Sequence, residues 1–277
     1  NRSSRLLRGV DEEVVARFEE AASKQWNIVK NAGLSEIREN ADGSVTVVAK
    51  RTTENGEELL EIPADAVLVA TGRRPNTDTL NAKNYFDVQD GGQLSVDKYQ
   101  RVLYNGAPVP GVYALGDVSS RYQLKHVANH EARVVQHNLS HPEDLRASDH
   151  RYVPAAVFSN PQIAVVGMTE EQARQAAERE GFEITVKAQN FGDTAYGWAM
   201  EDKIGLCKLI ARKDNGELLG AHLVGEESSV LIQPLLQAMS FGMDARTLAR
   251  GQYWIHPALT EIIENALLGL EFDEPAN

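Results

Sequence analysis

A histidine and a glutamate near the C-terminus have a spacing that suits acid–base chemistry, in His256-Pro257-Ala258-Leu259-Thr260-Glu261. A carboxylate that accepts a hydrogen bond from one imidazole nitrogen fixes the tautomer and favours the protonated ring. Because proline suits the first turn of a helix, the sequence predicts His256 at the mouth of a helix, oriented by Glu261. Such a pair can exchange protons with a thiol. The alternative is a histidine that only caps the helix and packs.

A second candidate site lies in Ala114-Leu115-Gly116-Asp117-Val118, where a short apolar strand ends in a glycine and a carboxylate. A carboxylate at Asp117 can bind ligand hydroxyls, and Gly116 allows close backbone approach. The alternative is a plain turn. A helix predicted to begin close behind would direct its free backbone N–H groups towards the ligand of Asp117. That helix start comprises Gln123, Leu124, Lys125 and His126.

Arginines could bind phosphate at two further places. Arg2, Arg5 and Arg8 form a basic cluster after an expected strand end, and guanidinium groups match phosphate geometry. Gly72 and Arg73 lie in a turn before Pro75, from which a phosphate or adenine contact is possible. A solvated basic stretch and a plain connecting loop are the respective alternatives.

The overall composition restricts the class of protein. The net charge of −12 and the pI of about 5.1 argue against nucleic acid as the main partner. No apolar run reaches the roughly 20 residues that span a bilayer. The single cysteine, Cys207, excludes an intrachain disulfide, is expected to be a buried core thiol, and suggests the cytoplasm. No metal site is predicted. Residue 1 is not Met, and we expect the C-terminal part of a larger enzyme.

The first half of the sequence is typical of an α/β fold. Asp11 is predicted to cap a helix running to about Gln25, with Val14, Phe18, Ala21 and Ala22 as its apolar stripe. Residues 78–110 look irregular, and a second helix should run from Leu124 to about Leu139. The predicted strands are Asn27–Lys30, Leu34–Glu39, Ser44–Arg51, Glu57–Ile62, the continuously apolar Ala66–Ala70, which suggests burial on both faces, and Val112–Leu115.

The second half, after a boundary near residue 150, is predicted to be α+β. Strands at Glu183–Gln189, Gly205–Ala211 and Leu218–Val224 should share one antiparallel sheet, with a further strand at Ile163–Val166. Thr169 and Gln172 have capping-box spacing for a helix that stops at Gly181. Two more helices are expected at Ser229–Phe241, which Pro234 should kink or interrupt, and at Ala258–Leu268. Tyr196-Gly197-Trp198 is expected in a loop, where it could form a dimer surface, a substrate surface or core.

In order, these motifs resemble the pyridine-nucleotide disulfide oxidoreductase family, which includes glutathione reductase and dihydrolipoamide dehydrogenase. The motifs are the arginine cluster, Ala70-Thr71-Gly72-Arg73-Arg74-Pro75-Asn76, Ala114–Val118 and His256-Pro257…Glu261. The resemblance covers the whole chain. Three stretches look like one subfamily, a reductase of a low-molecular-weight thiol disulfide: Phe158–Gln162, Ala195–Asp202 and Gln252–Leu259.

The resemblance implies a domain organisation and site roles. Residues 1–76 would end a Rossmann-like NAD(P)H-binding domain, 77–150 would return to the FAD-binding domain, and 151–277 would form the interface domain of a homodimer. Asp117, with Gly116, would bind the ribityl chain of FAD, and Gln123 to His126 would line the flavin edge. Arg2 and Arg8 would grip the 2′-phosphate of NADPH, with Gly72 and Arg73 against that nucleotide. His256, oriented by Glu261, would be the acid–base residue reaching the partner's active site.

The resemblance also implies what this chain lacks. The family's redox cysteine pair and its glycine-rich turns for FAD and NADPH have no counterpart here, so the chain alone is expected to be inactive. In the complete enzyme, NADPH would reduce the cysteine pair through FAD, and that pair would reduce a small-molecule disulfide for redox homeostasis. The alternatives are a dihydrolipoamide dehydrogenase-like enzyme that uses NAD and a non-catalytic dimerisation module. Neither nucleic acid nor a membrane is an expected partner.

Overall fold

A computed structural model describes residues 1–273 of the chain in two compact units. One unit comprises Asn1–Leu68 with the described residues from Pro154 onwards, and the other is Val69–Val153. In the described residues the strands β1–β10 are Ala32–Glu39, Val45–Thr53, Gly56–Ala64, Arg101–Tyr104, Ala107–Tyr113, Ala155–Val157, Gln162–Gly167, Ile184–Asn190, Leu206–Arg212 and Leu218–Gly225. The helices α1–α8 are Glu12–Ala22, Lys125–Ser140, Glu170–Glu180, Ala195–Ala199, Ser228–Leu231, Gln233–Phe241, Ala245–Arg250 and Glu261–Leu268.

The larger unit is built on a five-stranded antiparallel sheet in the order β6-β7-β10-β9-β8. Nearly every residue of β9 and β10 is buried, because helices pack on the sheet. Their fully buried side chains, which include Leu209, Ile210 and Leu223, form the centre of the core. The three predicted strands at 183–224 and their shared sheet are therefore confirmed.

Helix α1 packs its predicted apolar stripe onto this sheet. Val14, Phe18 and Ala22 contact a buried cluster that contains Leu206 and Val224. The carboxylate of Asp11 caps the helix by accepting a hydrogen bond from the Glu13 amide at 3.1 Å, as expected. The helix ends at Ala22, three residues before the predicted end.

A separate three-stranded sheet, β1-β2-β3, follows α1 and confirms three of the predicted strands. Gly43 and Gly56 adopt positive φ angles of 85° and 115° in its turns, a conformation that glycine tolerates best. The predicted strand at residues 27–30 is wrong, because this segment is irregular.

The predicted buried strand Ala66–Ala70 is also wrong. Leu68 is 92% exposed, and the segment has no strand structure. A continuously apolar strand requires neighbours that pair with its backbone and cover both faces. Among the described residues, none pairs with it in a sheet.

The smaller unit contains the β4-β5 hairpin and helix α2. Residues 78–110 are not irregular throughout, because they contribute most of this hairpin, which turns at Asn105-Gly106 with positive φ at both residues. Strand β5 ends at Tyr113 and therefore includes only the first half of the predicted Val112–Leu115 strand. Helix α2 matches its prediction within one residue at each end.

The C-terminal helices follow the sequence signals with two exceptions. Thr169 and Gln172 form the predicted capping box of α3, and the helix stops at Gly181, which is left-handed. Pro234 lies in the first turn of α6, and the predicted single helix is interrupted between α5 and α6. Helix α8 begins at Glu261 rather than Ala258, because the backbone before it makes three-residue turn bonds instead of α-helical bonds. His256 therefore lies in a turn that precedes the helix.

The second exception is the aromatic segment around Trp198. Tyr196, Gly197 and Trp198 belong to the short helix α4, not to a loop. The sequence analysis also missed α7 and β6, which are short. No helix of the described residues has the length and apolar character needed to cross a bilayer.

Candidate active site

The side chains of His256 and Glu261 form a direct pair. Nδ1 of His256 lies 2.7 Å from Oε1 of Glu261, and since a carboxylate only accepts, Nδ1 is the donor. Glu261 occupies the first turn of α8, where the helix dipole favours a negative charge, and its second oxygen accepts a bond from the Ala258 amide at 3.4 Å. The His256 side chain is 68% exposed, whereas that of Glu261 is 16% exposed.

This geometry leaves Nε2 of His256 as the ring nitrogen that Glu261 does not engage. Among the described residues, the structure records no hydrogen-bond partner for it. A ring that is fixed through Nδ1 and open to solvent at Nε2 can transfer a proton to a ligand. The contact on which the predicted dyad depends is thus present, and the catalytic role stays a prediction.

In the smaller unit, Gly116 is held by a buried carboxylate that the sequence analysis did not single out. The Gly116 amide donates to Oε2 of Glu131 at 2.7 Å, and Nε2 of His150 lies 3.0 Å from Oε1 of the same side chain. Glu131 is 1% exposed and lies on the buried face of α2. The sequence signal that could have revealed Glu131 is a charged residue among the apolar residues of the buried face of α2. This contact fixes the backbone immediately before Asp117.

The start of α2 lies where the sequence analysis expected it. Leu124 is the N-terminal cap residue and provides no side-chain cap, and Gln123 before it has a positive φ of 50°. Lys125 begins the helix, and its Nζ donates to Asn129 at 2.8 Å. His126 lies in the same first turn. The first-turn amides are therefore not capped by the side chain of Leu124.

Asp117 and Arg73, which were predicted to touch different cofactors, contact each other. Nη1 of Arg73 lies 3.0 Å from Oδ2 of Asp117, and both side chains are well exposed. Exposed ion pairs of this kind contribute little to stability, so a ligand can replace the contact at small cost. Gly72 precedes Arg73 with a φ of 133°, which a side chain would rarely tolerate.

Arg2 and Arg8 lie in the larger unit, in the irregular segment before α1, and both are exposed. The backbone oxygen of Arg8 accepts a hydrogen bond from the Arg5 guanidinium at 2.9 Å. Arg5 and Arg8 line an open cavity of about 400 Å³ that also contacts the start of α3. Their role in nucleotide binding stays a prediction.

Cys207 is not suited to thiol chemistry. It is fully buried in β9, and burial raises the pKa of its thiol to about 12. Because the thiolate is the reactive form, this residue is a core thiol, as expected.

Comparison with known proteins agrees with this fold and these motifs. Residues 1–132 match the family model "Pyridine nucleotide-disulphide oxidoreductase", and residues 153–267 match the dimerisation domain of the same family. The chain belongs to the pyridine nucleotide-disulphide oxidoreductase family, which confirms the predicted family and fold class.

Individual relatives show which members of the family this chain resembles. The chain is 52% identical over 274 residues to mycothione reductase of Mycobacterium tuberculosis, and the match covers 97% of this chain and 56% of the relative. It is 32% identical over 262 residues to dihydrolipoyl dehydrogenase of Synechocystis, covering 94% of this chain and 54% of that protein. The chain thus spans about half the length of the curated relatives it matches.

Solved structures show the same fold. The HOCl-induced flavoprotein disulfide reductase RclA from Escherichia coli superposes with a TM-score of 0.81 at 26% identity, over 97% of this chain and 58% of that one. The subfamily suggested by the three sequence stretches is that of mycothione reductase.

Proposed function

We propose that this chain is the C-terminal part of an FAD-dependent, NADPH-using disulfide reductase of the mycothione reductase type, which acts as a cytoplasmic homodimer. The observation that carries the proposal is the 2.7 Å contact between His256 and Glu261 with the imidazole otherwise open to solvent. The 52% identity to mycothione reductase supports the substrate, the disulfide of a low-molecular-weight thiol.

His256 supplies a proton in this function. A cysteine thiolate from outside this chain attacks one sulfur of the substrate, the S–S bond breaks, and its electron pair leaves with the second sulfur. Nε2 of His256 donates the proton that neutralises this leaving thiolate, while Glu261 balances the positive ring. Cys207 takes no part, because its thiol is buried.

A homodimer is needed for this step, since His256 acts on the site of the other protomer. Residues 153–267 match a dimerisation domain, and this region exposes several large apolar side chains. Large exposed apolar side chains mark association surfaces when they are grouped. The exposed apolar side chains of residues 153–267 include Phe158, Phe241, Tyr253 and Ile255.

The residues around Asp117 fit a flavin. Ser119 Oγ is buried and has no hydrogen-bond partner among the described residues, and Leu124, the N-terminal cap residue of α2, makes no side-chain cap bond. Asp117 would bind the ribityl hydroxyls, and Gln123 to His126 would hold the carbonyl edge of the ring by backbone N–H groups. Bound FAD carries reducing equivalents from NADPH to the cysteine pair.

Replacement of His256 tests the proposal in the complete protein. We expect His256→Ala to lower disulfide turnover roughly a hundredfold to ten-thousandfold and to spare the reduction of flavin by NADPH, because only the first needs the proton. Stopped-flow measurement of both half-reactions separates them. His141→Ala, at an exposed histidine of α2's C-terminal cap, is the control and should change neither rate. Equal losses in both half-reactions for His256→Ala would contradict the proposal.

A dihydrolipoyl dehydrogenase-like enzyme is the second candidate, because relatives with that name are 30% to 32% identical to this chain. Such an enzyme would use NAD, and an acid rather than an arginine is expected where Arg2 lies. Turnover of the complete protein with NADPH and with NADH distinguishes the two. We expect NADPH to be preferred and Arg2→Ala with Arg8→Ala to remove that preference.

A further inference from the structure

A network of hydrogen bonds in the smaller unit joins the two elements to which the flavin is assigned. Glu131 of α2 is almost completely buried, and its Oε2 accepts from the Gly116 amide at 2.7 Å. Nε2 of His150 lies 3.0 Å from Oε1 of the same side chain, so both carboxylate oxygens have a partner. Glu131 therefore links the backbone before Asp117 to a segment that follows α2.

The turn that carries Asp117 is also held on its other side. The Gly116 oxygen accepts from the amides of Ser119 and Ser120 at 3.0 and 2.7 Å. Gly116 itself has a φ of 69°, a conformation that glycine adopts at least cost. Because the Gly116 amide is bonded to Glu131, the backbone that leads into Asp117 is fixed at two successive peptide groups.

The same network reaches the residues just before α2. The Tyr122 amide donates to Ser120 Oγ at 3.4 Å, and the Tyr122 hydroxyl donates to the backbone oxygen of His150 at 3.3 Å. The rings of Tyr122 and His150 are in contact, with their centroids 5.4 Å apart. Gln123, with its positive φ of 50°, and the start of α2 follow directly. His150 thus contacts the segment that leads into α2, while its partner Glu131 holds the turn before that segment.

Stability alone does not account for a carboxylate at this position. Taking a carboxylate out of water is costly, and an apolar side chain of similar volume is often at least as stable. A fixed acceptor for the Gly116 amide, however, gives the Asp117 turn its shape before a ligand binds, and preorganisation of this kind lowers the entropy lost on binding. The other apolar residues on the buried face of α2, which offer no such acceptor, are Val127, Val134 and Val135.

We propose that Glu131 and His150 are positioning residues of the flavin site, which hold the Gly116-Asp117 turn and the segment before α2 in the conformation that binds the ribityl chain of FAD. In this role neither side chain needs to touch the flavin, because both act through the backbone. The inference rests on the flavin site of the proposed function and adds two residues to it.

The experiment measures FAD binding by the complete protein, from the fluorescence of released flavin in a dilution series and the visible circular dichroism of bound flavin. Glu131→Leu removes the acceptor of the Gly116 amide, so the turn must move to satisfy that group. We expect the dissociation constant of FAD to rise about tenfold or more, because an unpaired buried amide shifts an equilibrium by roughly that factor. The circular dichroism of the flavin that remains bound should change.

Two further variants test the individual contacts. Glu131→Gln keeps an oxygen for the Gly116 amide, and its nitrogen can donate to the other tautomer of His150, so the dissociation constant should stay within about threefold of the unmodified value. His150→Phe keeps a ring against Tyr122 but leaves one oxygen of Glu131 unpaired, and should raise the dissociation constant about threefold to tenfold. Because the His150 side chain is 29% exposed, His150→Phe also provides the test if Glu131→Leu does not fold.

Asn138→Leu is the matched control, because Asn138 is another buried polar side chain of α2. Its side chain donates to the backbone oxygens of Tyr99 and Arg146 at 3.0 and 2.9 Å, and none of its hydrogen bonds within the described residues reaches Gly116. Asn138→Leu should lower the unfolding midpoint, because buried acceptors lose their donor. It should leave the dissociation constant of FAD and the circular dichroism of the bound flavin unchanged.

The outcomes separate this inference from the proposed function. If the unmodified protein binds no FAD, both are overturned. If it binds FAD but reduces no disulfide with NADPH, only the proposed function is overturned, because FAD binding still tests the positioning role.

Three results would overturn the positioning role alone. The first is FAD binding by Glu131→Leu and His150→Phe that equals that of the unmodified protein. The second is an equal loss of binding in Asn138→Leu, which would mean that any loss of stability weakens the site. The third is a loss in Glu131→Gln as large as in Glu131→Leu, which would mean that the charge, and not the bond to Gly116, acts on the flavin.

Discussion

Two clusters of the larger unit each pair a basic side chain with carboxylates, but one is at the surface and the other is buried. His256 and Glu261 form a pair in which the imidazole is mostly exposed. Lys208, by contrast, is 5% exposed and contacts the carboxylates of Asp11, Glu13 and Glu170 at 2.9, 3.2 and 2.7 Å. An exposed ring can exchange protons with a ligand, whereas a buried ammonium held by three acids cannot release its own.

The buried cluster links parts of the fold that are distant in sequence. Asp11 caps α1, accepts from the Glu170 amide at the start of α3, and binds Lys208 on β9. Burial alone would lower the pKa of the Lys208 ammonium, but its bonds to Glu170 and Asp11 hold that pKa above its ordinary value. The buried cluster positions helices, whereas the exposed pair performs chemistry in the proposed function, so a substitution in each should affect different measurements.

The largest stability effect is expected at Lys208. Lys208→Met leaves the buried Asp11 carboxylate without its counter-charge, and removing one partner of a buried pair typically costs about 3–5 kcal/mol. Denaturant unfolding measures the loss. Lys213→Met is the matched control on the same part of the chain, because Lys213 is only partly buried and pairs with the exposed Glu183, and it should leave the unfolding midpoint nearly unchanged.

The cause can be tested in the same background. Asp11→Asn together with Lys208→Met should recover part of the stability, because an amide still caps α1 but carries no buried charge. If Lys208→Met costs no more than the control, or if the double variant is less stable than Lys208→Met, the buried cluster does not hold the fold in the way described.

The exposed pair should show the reverse pattern. Glu261→Gln keeps an oxygen for Nδ1 of His256 but removes the charge that balances the protonated ring. We expect disulfide turnover in the complete protein to fall about tenfold, since charge-assisted bonds are roughly twice as strong as neutral ones, with no change in the unfolding midpoint. An unfolding midpoint lowered as far as in Lys208→Met would show that this pair is structural too.

One part of the pH dependence of stability should come from His222, a buried imidazole beside the Lys208 cluster. Burial lowers the pKa of the His222 imidazole below its ordinary 6.5, and Asp11 and Lys208 are the charged groups that face it. The unfolded chain takes up a proton at His222 below about pH 6.5 that the folded chain does not, so stability should begin to fall there. His222→Gln should remove this first decrease. Denaturant unfolding measured at intervals from about pH 8 to about pH 4 tests this expectation.

A second decrease should follow at lower pH. Burial alone would raise the pKa values of Asp11 and Glu170, but hydrogen bonds, chiefly from Lys208, hold both below their ordinary values. Their contribution is present above the unfolded values near 4 and is lost as the pH falls through the folded values. Stability that stays constant from neutral pH to pH 4 in the unmodified chain would contradict the role assigned to His222.

The sequence predicts these two clusters unequally well, for a physical reason. His256 and Glu261 are five residues apart, so a turn suffices to join them and the spacing reveals the contact. Asp11 and Lys208 are 197 positions apart, and only the packing of α1 on the sheet brings them together. The sequence revealed Asp11 as a helix cap but gave no sign of its second partner.

Secondary structure shows the same division between local and distant causes. The cap of α1 and the capping box of α3 depend on neighbours in sequence, and both predictions are confirmed. Ala66–Ala70 has the composition of a buried strand, but whether such a segment becomes a strand depends on pairing with other segments. Glu131 likewise acquires its role at Gly116 only through the packing of α2.

The smallest expected effect concerns Cys207, which is the residue next to Lys208 on β9. Because burial raises the pKa of its thiol to about 12, the folded protein should not react there with a charged thiol reagent at pH 8 (about four units lower). Peptide mapping by mass spectrometry measures labelling of Cys207 in the complete protein. Lys208→Met should increase the labelling rate through more frequent opening of β9, whereas Glu261→Gln should not. Rapid labelling of the unmodified protein would mean that the strand opens without loss of the ion pair, and the buried cluster would then not be what keeps this part of the sheet closed.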